Sequence, residues 1–142
     1  MQISDHYLAY KEKTLLVVTN NELAKIYSVF ERDVEELRTL KVKSAKPDER
    51  AGGTANSAPP DLDEVKKHDR LELYKSLNKL LFKLIKEDYK KIIICVPEAH
   101  KNEIVEEMHQ DVKKLIGENV VPKNLASLPL DQMMRILQES KA

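Results

Sequence analysis

Four lysines recur at helical spacing, Lys75, Lys79, Lys83 and Lys86, and Lys90 and Lys91 extend the run. Side chains three and four residues apart share a helix face, so these lysines would present a row of ammonium groups. Such a row can follow the phosphates of structured RNA, with Lys75, Lys79 and Lys83 as the phosphate-contacting set and each contact sensitive to salt. It equally fits the solvated face of an amphipathic helix, since Glu72 and Glu87 are interleaved with it. A second place for chemistry is the irregular stretch from Lys43 to Asp61, which carries Arg50, Gly52, Gly53 and Thr54. Paired glycines let backbone N–H groups come close to a ligand, but they need a structural context to mean more. His68 follows soon after that stretch, which makes it the most interesting of the histidines.

Other chemistries lack their residues. His6, His68, His100 and His109 show no metal-ligand spacing, and each reads as a surface or helix-terminal residue. No nucleophile elbow, Walker A loop or dinucleotide fingerprint is present. Cys95 stands among Ile92, Ile93, Ile94 and Val96, so it reads as a core thiol. No catalytic residue, metal ligand or cofactor is assigned.

Composition sets the frame. A chain of 142 residues, 42% apolar and 34% charged, suits one domain over residues 1–142 with a real core and a charged surface. Lys plus Arg equals Asp plus Glu at 24 each, so no global field draws the chain to nucleic acid or membrane. A nucleic-acid contact would need a local patch. One cysteine excludes an internal disulfide and fits a reducing compartment. The first residues lack the basic and apolar regions of a signal peptide, and no apolar run approaches the about 20 residues that span a bilayer. The expected location is cytoplasmic, with no membrane partner.

The elements that must position these groups can be read in order. Thr14–Thr19 is a short apolar run rich in β-branched residues, a strand covered on both faces. Asn20-Asn21 is expected to turn through positive φ into a second strand from Ala24 to Glu31, with one more polar face. Arg32-Asp33 is read as a second turn, and Val34–Val42 carries enough charge to suit a sheet edge. Pro47, Gly52-Gly53, Ser57 and Pro59-Pro60 then break regular structure, and loops beyond about 12–15 residues tend to be functional or disordered. This loop is expected to be flexible.

Asp61 and Glu64 resemble a capping box, and Leu73, Leu77, Leu80, Leu81, Leu84 and Ile85 repeat at helical spacing up to about Asp88. Lys90–Pro97 holds an unbroken apolar run, a central strand parallel to the first. Ile104, Met108, Val112 and Leu115 predict a helix that stops at Gly117. Val120–Leu125 is an edge strand because Pro122 lacks an N–H. Ser127 is read as the cap of a last helix that turns Leu130, Met133, Met134 and Leu137 inward.

The sum is β-β-β-α-β-α-β-α. Placing the two most apolar strands side by side, with right-handed crossovers, yields an α/β three-layer fold with a five-stranded mixed sheet in the order 3-2-1-4-5. That is a ribonuclease-H-like layout. A nuclease on it needs carboxylates on the first strand, the first helix and the fourth strand to hold Mg²⁺. Thr14–Thr19 and Ile92–Val96 contain no acid, so a two-metal nuclease is not expected.

On that layout the chain resembles the bacterial host attachment protein family. That family is related to the central domain of archaeal and eukaryotic class-one release factors and of Pelota. The resemblance covers nearly the whole chain. It is carried by Leu15–Val18 running into Ala24-Lys25-Ile26-Tyr27, and by His68-Asp69-Arg70 leading into the apolar helix. The strand Ile92–Pro97 and the ending Leu125-Ala126-Ser127-Leu128-Pro129 complete it. It implies a cytosolic, release-factor-like protein acting at the ribosome. In release factors a Gly-Gly-Gln loop between the third strand and first helix helps water attack the peptidyl-tRNA ester. Here the corresponding loop reads Gly52-Gly53-Thr54 and contains no Gln, and Thr54 cannot reproduce an amide's paired donor and acceptor.

The leading expectation is therefore a ribosome- or RNA-associated factor without ester hydrolysis. Arg50, Gly52, Gly53, Thr54, His68 and Arg70 would make the loop or ribosome contacts. A different class, a non-enzymatic module that docks a protein partner, is the alternative, and a hydrolase built on His68 ranks last. The oligomeric state is left open.

Overall fold

The computed structural model describes residues 9–42 and 62–140. Strands β1 (Tyr10–Thr19), β2 (Leu23–Glu31) and β3 (Asp33–Lys41) form an antiparallel meander. Helix α1 (Leu62–Leu84) tightens into a 3₁₀ turn at Ile85–Glu87 and leads to β4 (Lys91–Cys95). A 3₁₀ turn at Glu98–His100, α2 (Lys101–Glu106) and α3 (Gln110–Ile116) follow. β5 (Val120–Val121) and α4 (Leu130–Ser140) complete the order. The sheet runs β3-β2-β1-β4-β5, as the apolar runs predict.

β1 and β4 are parallel neighbours, in register from Thr14 opposite Lys91 to Val18 opposite Cys95. Their alternate residues face two different helical layers. Leu15, Val17, Ala24, Ile26, Ile92 and Ile94 meet Leu73, Tyr74, Leu77 and Leu81 of α1, with Ile104, Val112 and Ile116 from α2 and α3. Leu16, Val18, Tyr27, Val29, Ile93 and Cys95 meet Met133, Met134 and Leu137 of α4. Each fully buried Leu, Ile, Val or Met among them contributes on the order of 1.5–3 kcal/mol. The polar ends of β1 are satisfied locally, the Thr14 hydroxyl donating to the Glu12 carbonyl at 2.9 Å and the Thr19 hydroxyl to the Leu23 carbonyl at 2.8 Å. Cys95 is wholly enclosed, and burial pushes its thiol up to about 12.

Several elements depart from the sequence reading. β1 starts at Tyr10 rather than Thr14, with a register shift between those residues. The first hairpin does not use positive φ at Asn20 or Asn21. Instead the Asn20 side-chain oxygen accepts from the backbone N–H groups of Glu22 (2.7 Å) and Leu23 (2.9 Å), as an Asx turn does. The second turn is Glu31-Arg32, between the paired Phe30 and Asp33, and Glu31 takes φ 56°. The second face of β2 is not polar, because Tyr27 and Val29 are buried against the α4 layer.

The single helix expected after β4 is two, separated at Glu107–His109, so the observed order is β-β-β-α-β-α-α-β-α apart from the 3₁₀ turns. Gly117 ends the second of them at φ 52°, its N–H donating to the Lys113 carbonyl. β5 has two residues rather than six, since Pro122 cannot donate a further ladder bond. Ser127 lies in the turn before Pro129, and α4 begins at Leu130. No described helix is long and apolar enough to cross a membrane.

Candidate nucleic-acid interface

Helix α1 carries most of the candidate groups, because its apolar residues leave one face free. Leu73, Tyr74, Leu77 and Leu81 lie against the sheet, and Lys75, Lys79 and Lys83 are exposed. Lys75 Nζ lies 3.8 Å from Glu72 Oε1, with both side chains more than half exposed, an arrangement worth little energy. Lys79 and Lys83 have no partner among the described residues. Lys86 Nζ stands 4.8 Å above the Phe82 ring, a cation–π contact that holds it near the stripe.

The cationic surface continues past the helix end. Asp88, at φ 71°, ends the 3₁₀ turn in the left-handed region. Its carboxylate meets Lys90 Nζ at 3.0 Å. The Lys90 hydrogen bond, and then its charge, hold that carboxyl below the usual range. Lys13 Nζ donates to the Glu87 carbonyl at 3.1 Å and lies 4.4 Å over the Tyr89 ring. The Tyr89 hydroxyl in turn donates to Ser28 Oγ at 2.9 Å, fixing this corner to β2.

His68 and Arg70, two residues apart, do different things. His68 is exposed and lines a cavity of about 220 Å³ with Lys41, Val42, Asp69, Glu72, Leu73 and Ser76, between the end of β3 and the first half of α1. Arg70 points to α2, where Nε and Nη2 donate to Glu103 Oε1 (3.0 Å) and Oε2 (3.1 Å). That pair is nearly enclosed, the side chains being 12% and 26% exposed, so its charge is neutralised before any ligand could reach it. His100 Nδ1 lies 3.7 Å from Glu103 Oε2. Beside them the Tyr74 hydroxyl is buried without a partner among the described residues, and burial pushes it up to about 12. Arg50, Gly52, Gly53 and Thr54 lie outside the described residues.

The structure adds a group that sequence reasoning placed only as surface or helix-terminal. His109 is the N-cap of α3, its Nδ1 accepting from the Asp111 backbone N–H at 3.1 Å. Its own N–H donates to Asn78 Oδ1 of α1 at 2.7 Å, and its ring meets Phe82 at 4.5 Å between centroids, tilted by 48°. Asn78, Phe82 and Lys86 at four-residue spacing were the available signal. It could not be used without knowing that the chain breaks its helix at Glu107–His109 and packs His109 on α1.

At the other end of the sheet, a cavity of about 470 Å³ opens beside the two-residue β5, between Ile93, residues 118–123 and Leu137 of α4. Its lining is mixed, with Glu118 and Lys123 at the rim of apolar residues.

No protein-family model matches the sequence, and no curated protein matches it significantly. Solved structures do match. An archaeal translation termination factor superposes with a TM-score of 0.52 at 17% identity, over 90% of this chain and 38% of its own. A structure described as an archaeal protein gives 0.58 at 19% identity, over 90% of this chain and 33% of its own. A Saccharomyces cerevisiae termination-like factor involved in RNA quality control pathways gives 0.49 at 14% identity. The chain thus spans about a third to two fifths of the length of these proteins. The fold type is that of a termination-factor domain.

Proposed function

We propose that this chain is a ribosome- or RNA-associated factor of release-factor-like fold, allied to the host attachment proteins, that binds by its α1 face and does not hydrolyse peptidyl-tRNA. The observation that carries the reading is the exposed stripe Lys75, Lys79, Lys83 and Lys86, in which Lys79 and Lys83 have no partner among the described residues. In a chain of net charge zero, such a segregated row is the local patch an RNA contact requires. The fold shared with a translation termination factor agrees with it. The sequence Gly52-Gly53-Thr54, with no Gln between Lys43 and Asp61, argues against ester hydrolysis, since no side-chain amide follows the glycine pair directly. Arg50, Gly52, Gly53, Thr54 and His68 are assigned to positioning on the RNA, and Arg70 to fixing α2 against α1. The chain acts as one domain in the cytoplasm.

Co-sedimentation with ribosomes at low and high salt tests this. Binding is expected at low salt and to fall steeply as salt rises, and Lys79→Glu with Lys83→Glu should flatten that dependence. Binding indifferent to salt and to both substitutions would place the chain instead among protein-docking modules.

A further inference from the structure

We propose that His109, backed by Phe82 and set beside the lysine stripe of α1, is a stacking platform for an unpaired nucleobase of single-stranded RNA. This rests on the RNA reading above and deepens it, from phosphate contact to base contact.

His109 is held more firmly than an exposed histidine needs to be. Its backbone is bound by Asn78, its Nδ1 by the Asp111 N–H, and one side of its ring by Phe82. Yet its side chain remains 48% exposed, so the ring presents an ordered aromatic surface to solvent. As an N-cap, histidine is a poor choice, because Ser, Thr, Asp or Asn accept the same bond more favourably. Capping alone therefore does not account for an imidazole here. Because Nδ1 accepts, the proton of the neutral ring sits on Nε2, which is left to donate to a base.

The surroundings suit a nucleic-acid strand. Phe82 is itself covered on one side by Lys86 Nζ, so it serves as backing and His109 as the outer surface. Lys79 lies three residues before Phe82 on α1 and shares its face, whereas Lys83, the next residue after Phe82, stands about 100° round the helix. Lys113 is one turn beyond His109 on α3, its N–H donating to the His109 carbonyl at 2.9 Å. Cations thus stand on both helices that meet at the ring, Lys86 over its Phe82 backing and Lys113 one turn along α3. The carboxylate beside it, Asp111 Oδ2 at 3.7 Å from Nδ1, is on the capping side. Aromatic rings with flanking cations take up splayed bases and their phosphates with little sequence preference. A base already stacked inside an A-form helix cannot reach such a ring, which selects single strands and loops.

The test is fluorescence anisotropy with a labelled oligouridylate of about 12 nucleotides and an abasic strand of the same length and phosphate content. His109→Asn keeps a cap acceptor but removes the ring, and an unchanged unfolding midpoint will show that the fold survives. It should weaken oligouridylate binding at least about five-fold and leave the abasic strand unaffected, while His109→Tyr restores binding. Equal affinity of the wild-type chain for the two strands, or unchanged binding by His109→Asn, would overturn the proposal. If Lys79→Glu with Lys83→Glu then still lowers affinity for both strands, the phosphate reading stands and only stacking falls. If no strand binds, the stacking proposal falls, and ribosome co-sedimentation judges the broader reading separately.

Discussion

The two faces of the sheet are built differently. On the α4 side, the layer over Leu16, Val18, Ile93 and Cys95 is almost wholly apolar, with Met133, Met134 and Leu137 filling it. On the α1 side an equally dry core is overlaid by polar links. These are Arg70 to Glu103, Asn78 to His109, Lys86 over Phe82, and Lys13 over Tyr89. Apolar packing is enough to hold a helix on a sheet. The additional directed contacts orient particular side chains, and they accumulate on the face that also carries the exposed lysine stripe. On the function proposed above, the α4 face is scaffold and the α1 face the working surface.

The largest effect should show that both faces are equally necessary for stability. Leu77→Ala on the α1 side and Met133→Ala on the α4 side each remove a side chain with no exposure. Each should cost about 2–5 kcal/mol in urea unfolding, the lost transfer energy plus the cavity left behind. A cost confined to one of them would mean that one layer is docked loosely, and the contrast between scaffold and working surface would need redrawing.

Glu103→Ala asks whether the polar overlay matters to the fold. It leaves the Arg70 guanidinium, 12% exposed, without its carboxylate, which should cost about 1–3 kcal/mol. Lys79→Glu with Lys83→Glu, on the same helix, should leave the unfolding midpoint nearly unchanged, because those side chains are exposed and have no partner among the described residues. If the two experiments gave similar losses, the lysines would be structural and the working surface would lose its support.

This division was only partly legible in the sequence. The sheet order followed from the runs Leu15–Val18 and Ile92–Val96, since unbroken apolar strands need cover on both faces whatever surrounds them. The cover over β2 was not legible, because Tyr27 and Val29 alternate with residues that look no more polar than they do. The split between α2 and α3 was hidden as well: Ile104, Met108 and Val112 keep helical spacing straight across it. Arg70 and Glu103 stand 33 residues apart, and no local pattern joins two charges at that separation. The stripe on α1 was plain from spacing, whereas the platform beside it exists only because a second helix starts at that point.

The smallest effect separates the two faces by one hydroxyl each. Both tyrosine hydroxyls, Tyr10 on the α4 side and Tyr74 on the α1 side, are deeply buried, but only Tyr10 has a neutral side chain, Gln138, acting on it. Tyr10→Phe should therefore cost somewhat more than Tyr74→Phe, at most about 1 kcal/mol, while Tyr74→Phe should be neutral or slightly stabilising at neutral pH. Alkaline pH offers a second readout. Burial pushes Tyr74 from 10.0 up to about 12. Below pH 10 the hydroxyl is protonated in both states and its contribution is complete. Between 10 and about 12 the unfolded chain ionises first and stability is lost. Tyr74→Phe should make that loss shallower, although Tyr10 and Cys95, each also raised to about 12, keep part of it. Urea midpoints measured across this range check both statements. A clear loss on Tyr74→Phe at neutral pH would show that the hydroxyl has a partner, and the cluster around Arg70 and Glu103 would then be a closed network.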